Sequence, residues 1–233
     1  MKINLNNLQI PGDCGGICLE DNSIKTNDIE VVFRNHKEKI IKLCENNNFA
    51  IGCVAWLTDH EILEALSKIN TCIVVQKEDF LRPDYNYDKN KLQKLYDKIK
   101  WHCYTDHFHW KYLPSLSYCG CIDGGIRCMG NYNRDKKPAF PRMHNKFMIF
   151  GTERKTTTME EYMSEDEVFK LNSVWTGSFN FTYNAGYSLE NAVIISNKEI
   201  ITAYINEFCQ IYSLSEDLDW SCDWCDPEYR IGS

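Results

Sequence analysis

The spacing of apolar residues along the chain changes between two kinds, unbroken runs and helical stripes. Ile29-Glu30-Val31-Val32-Phe33 reads as a short strand, and residues 37–46 set Ile40, Ile41 and Cys44 at helical spacing on one face. The unbroken apolar run over residues 50–57, ending in Trp56 and Leu57, has the pattern of a strand covered on both faces, which predicts a sheet parallel in its centre. Thr58-Asp59 is placed to cap a following helix whose stripe is Ile62, Leu63, Ala65, Leu66 and Ile69. Residues 71–75 then form the next strand, closing a strand-helix-strand unit.

Beyond this unit the pattern loosens. Residues 88–101 predict one helix, with Leu92, Leu95, Tyr96 and Ile99 on one side. Residues 145–150 read as a strand, 152–170 as a charged, Thr-rich excursion, 174–178 as a strand running into a turn, and 189–196 as another strand. Residues 198–212, with Ile201, Tyr204, Ile205, Phe208 and Ile211 on one face, give a helix, and the tail from Leu218 is rich in turn residues. No fixed-period repeat is present, so a solenoid or propeller is excluded. The expected class is α/β, with a mixed, centrally parallel sheet flanked by helices. A single domain spans residues 1–233, with a Cys/His-rich insertion over 77–140.

Composition changes this picture in two places. The chain has 233 residues and a formal charge of −7, which disfavours a protein that coats nucleic acid non-specifically and still permits a local basic groove. No run of about 18 apolar residues exists and the first residues lack an apolar signal core, so a cytoplasmic protein without stable membrane association is expected. In a reducing compartment the 12 cysteines are thiols or metal ligands. Cys44, Cys53, Cys72 and Cys209 fall in apolar periodic segments and read as small buried hydrophobes. Cys222-x-x-Cys225 has the spacing of half a structural zinc site, with Cys119 and Cys121, near Cys128, as the other half. The cluster His102, Cys103, His107 and His109 is an alternative way to close such a site, and surface histidines are the plainer reading. His36 and His60 read as surface helix residues.

Three features of the second half point to one kind of chemistry: His144-Asn145-Lys146 on a strand, Gly177-Ser178-Phe179-Asn180 at a strand end, and Glu190 opening the next strand. Strand geometry sends His144 and Lys146 to the same face, a titratable imidazole beside a fixed cation, and a phosphate fits between them. Gly177 permits close backbone approach, Ser178 and Asn180 can donate to phosphoryl oxygens, and a carboxylate such as Glu190 can hold an imidazole in one tautomer.

In this order the features resemble the signature of the phospholipase D superfamily: His-x-Lys, four residues, Asp, then Gly-Ser and Asn, then Glu on the next strand. The resemblance extends over roughly residues 28–77 and 140–212. Two departures stand out. The superfamily's Asp falls on Gly151, and the interval from Lys146 to Gly177 is long. In the family that Asp mainly supports local structure. The resemblance implies a two-step phosphodiester hydrolysis needing no metal or other cofactor, in which one histidine forms a phosphohistidine and a second acts as acid and then base. With a single signature, the second histidine is expected from an identical chain, hence a homodimer. By the same resemblance His144 is nucleophile or acid, Lys146, Ser178 and Asn180 hold the phosphoryl group, and Glu190 orients His144.

Members of this size with one signature resemble nucleases, so nucleic acid is the expected substrate. Arg134, Lys136, Lys137 and Arg142, in the segment that leads into His144, are candidate backbone contacts, and Trp56 either lines the groove or packs in the core. The alternatives are a phospholipid hydrolase and a degenerate member that only binds nucleic acid or a protein, the latter favoured by Gly151.

Overall fold

The computed structural model describes residues 3–13, 15–78, 89–101, 125–131, 140–153 and 169–218. Two short strands, β1 (Gln9–Ile10) and β2 (Ile17–Cys18), form a separate antiparallel ribbon. The chain then builds β3 (Ile24–Lys25), β4 (Ile29–Val32), α1 (His36–Glu45), β5 (Phe49–Val54), α2 (His60–Leu66), β6 (Asn70–Gln76), α3 (Lys89–Tyr96) and β7 (Ile126–Met129). The second half adds β8 (Lys146–Glu153), β9 (Phe169–Gly177), a 3-10 turn (Tyr183–Tyr187), β10 (Ala192–Ile195) and α4 (Lys198–Ser213). Eight strands join in one mixed sheet of order β3-β4-β10-β9-β8-β5-β6-β7.

Helices cover both faces of this sheet, and the strands alternate to match. In β5, Ala50 and Val54 face the layer of Ile40, Cys44, Ile62, Leu63, Leu66, Leu95 and Tyr96 from α1, α2 and α3. Phe49, Ile51 and Cys53 face the opposite layer, where α4 contributes Ile201, Ile205, Phe208 and Cys209. Every residue of β5 is buried, which is why the run is apolar without alternation. The helix ends follow local chemistry. The Asp59 carboxylate accepts from the N–H groups of Glu61 (3.0 Å) and Ile62 (3.2 Å), and Asn197 accepts from Ile200 N–H at 3.1 Å.

A mixed α/β sheet flanked by helices is therefore the architecture, but the parallel pairing sits to one side rather than at the centre. It is confined to β5-β6 and β6-β7, while β8 pairs antiparallel with both β5 and β9. An apolar run reports burial on two faces and carries no information on strand direction, and here antiparallel strands are covered twice as well. The stretch 77–140 contributes α3 and the edge strand β7 to the fold. Cys44, Cys53, Cys72 and Cys209 are buried thiols, and burial pushes Cys44 and Cys209 up to about 12. Cys128 is buried in β7 as well. His36, expected on a helix surface, is 2% exposed.

The segment after α4 returns to clamp β7. Cys128 and Glu216 exchange backbone hydrogen bonds of 2.8 and 2.9 Å, and Glu216 pairs with the fully buried Lys77. Arg127 donates from Nε to Ser215 Oγ (2.7 Å), from Nη2 to the Ser215 carbonyl (3.0 Å) and from Nη1 to Asp217 (2.8 Å), with its guanidinium 5.3 Å from the Tyr212 ring centroid. Asp217 is largely exposed, so that ion pair contributes little, and the buried hydrogen bonds and packing dominate. Arg127→Ala is expected to cost about 2–4 kcal/mol, read as a lower urea midpoint with an unchanged slope.

Candidate active site

The Gly177-Ser178-Phe179-Asn180 segment is shaped by two phenylalanines. Phe179 and Phe181 are buried against Trp175, with ring centroids 6.1 and 5.2 Å away. This leaves Ser178 exposed and Asn180 half-buried. The Phe181 carbonyl accepts from Thr58 and Asp59 N–H (2.8 and 2.9 Å), fastening the loop to the start of α2. His36 stacks on Phe179 at 5.0 Å from the other side, and burial lowers its pKa, keeping it neutral. A Cβ on Gly177 would lie 2.1 Å from the Asn191 carbonyl oxygen, so this glycine lets β9 approach β10.

Strand register gathers the rest. β8 pairs Phe147 with Thr176 and β10 pairs Ala192 with Gly177, so Lys146, Ser178 and Glu190 reach the same end of three adjacent strands. The Ser178 hydroxyl donates to the Glu190 carboxylate and accepts from Asn191 N–H at 3.1 Å. Asn180 Oδ1 is buried without a hydrogen-bond partner. Lys146 Nζ donates to the His144 carbonyl (3.0 Å) and stands 3.3 Å from both ring nitrogens of the exposed His144. In this arrangement Glu190 holds Ser178, and no hydrogen bond joins it to His144.

The charges that act on His144 are cationic. Burial, then the charges of Lys146 and Arg142, hold the His144 pKa below its ordinary value. Burial lowers Lys146 too, opposed by the charge of Glu190. The Lys146 ammonium and the imidazole of His144 thus stand side by side, at the same end of the sheet as the hydroxyl of Ser178.

Residues 41–212, which contain every one of these groups, match the family model described as "Cardiolipin synthase, PLD-like domain". The chain belongs to the phospholipase D superfamily. Among curated proteins, the uncharacterized protein L381 of Acanthamoeba polyphaga mimivirus is 30% identical over 213 residues, 84% of this chain and 69% of that protein. Among solved structures, similar chains include Nuc, a phospholipase D family member from Salmonella typhimurium, at 17% identity and TM-score 0.47, covering 81% of this chain and 96% of that one. NucT from Helicobacter pylori is similar at 10% identity and TM-score 0.45, covering 78% and 94%.

Of the residues singled out in this phospholipase D-like sequence, His144, Lys146, Gly177, Ser178, Asn180, Glu190 and Arg142 lie together around one site. Arg134, Lys136, Lys137, Cys119, Cys121, Cys222 and Cys225 lie outside the described residues, as do His102, Cys103, His107 and His109. Among the described residues no group of three or more His, Cys, Asp or Glu is arranged to hold a metal, and no helix is long and apolar enough to cross a membrane. Gly151 sits at the far end of β8 from Lys146, buried against Phe49, away from His144 and Ser178. Trp56 lines the site. Its position at the end of a buried strand was the available signal, and its contact with His144 depends on register that the sequence does not display.

Proposed function

We propose that this chain is a phosphodiesterase that cleaves nucleic acid through a phosphohistidine, in a site completed by a second copy of itself. The observation that carries the reading is the convergence of His144, Lys146, Ser178, Asn180 and Glu190 at one end of three adjacent strands. A ring nitrogen of His144 attacks phosphorus, forming a P–N bond as the P–O bond to the leaving group breaks. The leaving oxygen takes a proton from His144 of the second copy. That second imidazole then removes a proton from water, whose oxygen attacks phosphorus and releases the first histidine. Lys146, Ser178 and Asn180 stabilise the charge that builds on the phosphoryl oxygens. Glu190 fixes Ser178 and, when the exposed His144 ring rotates toward it, orients the imidazole.

Nucleic acid is favoured as substrate by the surface that leads into His144. Phe140 is 76% exposed and the Arg142 guanidinium stands 5.5 Å from its ring centroid, pairing a phosphate-binding cation with an aromatic face for a base. The test is cleavage of labelled single- and double-stranded DNA and RNA by the purified protein in excess EDTA. Cleavage of at least one of the four is expected to survive the chelator. Binding without cleavage by a folded dimer would instead make this a degenerate, nucleic-acid-binding member, and hydrolysis of phospholipid vesicles alone would make it a lipid enzyme.

A further inference from the structure

A half-buried tryptophan lies against both His144 and Lys146. Trp56 follows β5, and its backbone is held on both sides: Ala55 N–H donates to the Asn145 carbonyl at 2.9 Å, and Leu57 bridges to Phe181. Its indole N–H donates to Glu78 Oε1 at 3.0 Å, and Glu78 is itself 6% exposed. Held this way, the indole meets the His144 ring edge-to-face at 5.1 Å and 78°, and Lys146 Nζ lies 5.6 Å from its centroid.

Lys146 has an unusual resting environment for an ammonium. Among the described residues no carboxylate forms an ion pair with it, and Glu190 acts on it only at longer range. The groups that face the Lys146 charge are the His144 carbonyl, which accepts from it at 3.0 Å, and the negative face of the indole. A cation–π contact is weak enough to be exchanged for a charge-assisted hydrogen bond to a phosphoryl oxygen.

We propose that Trp56, locked by Glu78, is a positioning residue that holds the Lys146 ammonium and the His144 ring in place for the phosphate without touching the reacting atoms. The kinetic part of this proposal rests on the phosphodiesterase reading above. The structural part does not.

The experiment follows the titration of His144 by NMR, assigned through His144→Ala, together with steady-state kinetics, in wild type, Trp56→Leu, Glu78→Leu and Glu78→Gln. The charged groups that face His144 are Lys146 and Arg142, Glu190 acts on Lys146, and Glu78 holds the indole that lies against both. Trp56→Leu opens the ring to water and frees Lys146 to swing away. Both changes raise the His144 pKa, so its titration should move up, with kcat falling roughly 10–100-fold and KM within about threefold. Glu78→Leu should shift both in the same direction, and Glu78→Gln, which keeps an acceptor for the indole, should restore them. If Trp56→Leu fails to fold, the two Glu78 variants make the same comparison. An unmoved His144 titration, or a loss confined to KM, overturns the assignment. Because the titration needs no turnover, a protein inactive on every phosphodiester whose His144 still shifts overturns the phosphodiesterase reading and leaves this one standing.

Discussion

Replacing His144 with alanine is expected to lower phosphodiester cleavage by about 10⁴-fold or more while leaving the protein folded. The side chain is exposed and its polar contacts are to Lys146, so truncation falls in the class of surface changes worth about ±0.5 kcal/mol. The chemical loss is much larger, because no other group of the site offers phosphorus a neutral nitrogen. On the proposed mechanism the attacking His144 must be unprotonated. Partial desolvation of the ring, with the charges of Lys146 and Arg142, holds its pKa below the ordinary value, so the acid limb of kcat/KM should fall at lower pH than a free imidazole would give.

The same variant tests the composite site. If each site needs two copies of His144, a mixed dimer of wild type and His144→Ala is dead. An equal mixture allowed to exchange subunits should then keep about a quarter of the wild-type activity. A site complete within one chain would keep about half. Kinetics on the mixture therefore separate the two arrangements without a second substitution.

The parts of this protein that were legible in its sequence are those whose causes are local. The stripe of α2 and its Asp59 cap, the doubly buried β5 and the long amphipathic α4 each follow from neighbours a few residues away. The site was legible for a related reason. His144 and Lys146 are one strand step apart, and Ser178 and Asn180 alternate with two phenylalanines, so spacing alone puts the polar partners on one side. What stayed hidden depends on distant partners. β7 carries Arg127 in its middle, which breaks the apolar pattern, and the guanidinium is buried only because Ser215 and Tyr212 arrive from the end of the chain. His36 opens a helix in a polar stretch and is buried because Phe179 stacks on it. The direction of strand pairing is likewise a property of which strands meet, and β8 enters between β5 and β9 from far along the chain.

Gly151→Asp, which restores the residue the superfamily signature carries, is expected to destabilise this protein by about 4 kcal/mol or more. Gly151 is buried at an irregularity in the β8-β9 pairing, and its carbonyl accepts from Asn48 N–H at 3.2 Å. A Cβ there would stand 2.6 Å from the Lys170 carbonyl oxygen and 2.9 and 3.0 Å from two Phe49 ring carbons. Phe49 is fully buried and fixed by its own packing, and the other close atom is backbone, so neither neighbour yields cheaply. Overpacking of this kind costs about 1–3 kcal/mol, and a carboxylate beside an aromatic ring and a carbonyl adds several more. Gly151→Ala isolates the steric share. The electrostatic share has its own sign: burial raises the introduced carboxyl's pKa in the folded state, so the penalty grows as pH rises above the unfolded value. Urea midpoints of both variants near pH 5 and pH 8 measure the two shares, and a wild-type midpoint for Gly151→Asp would mean that the bulge rearranges to admit the side chain. Because Gly151 lies at the opposite end of β8 from Lys146, whatever fraction of the variant folds should turn over at the wild-type rate. The missing carboxylate is then a matter of how this strand packs on Phe49 and β9, and the end of the sheet that carries Lys146 and Ser178 does not depend on it.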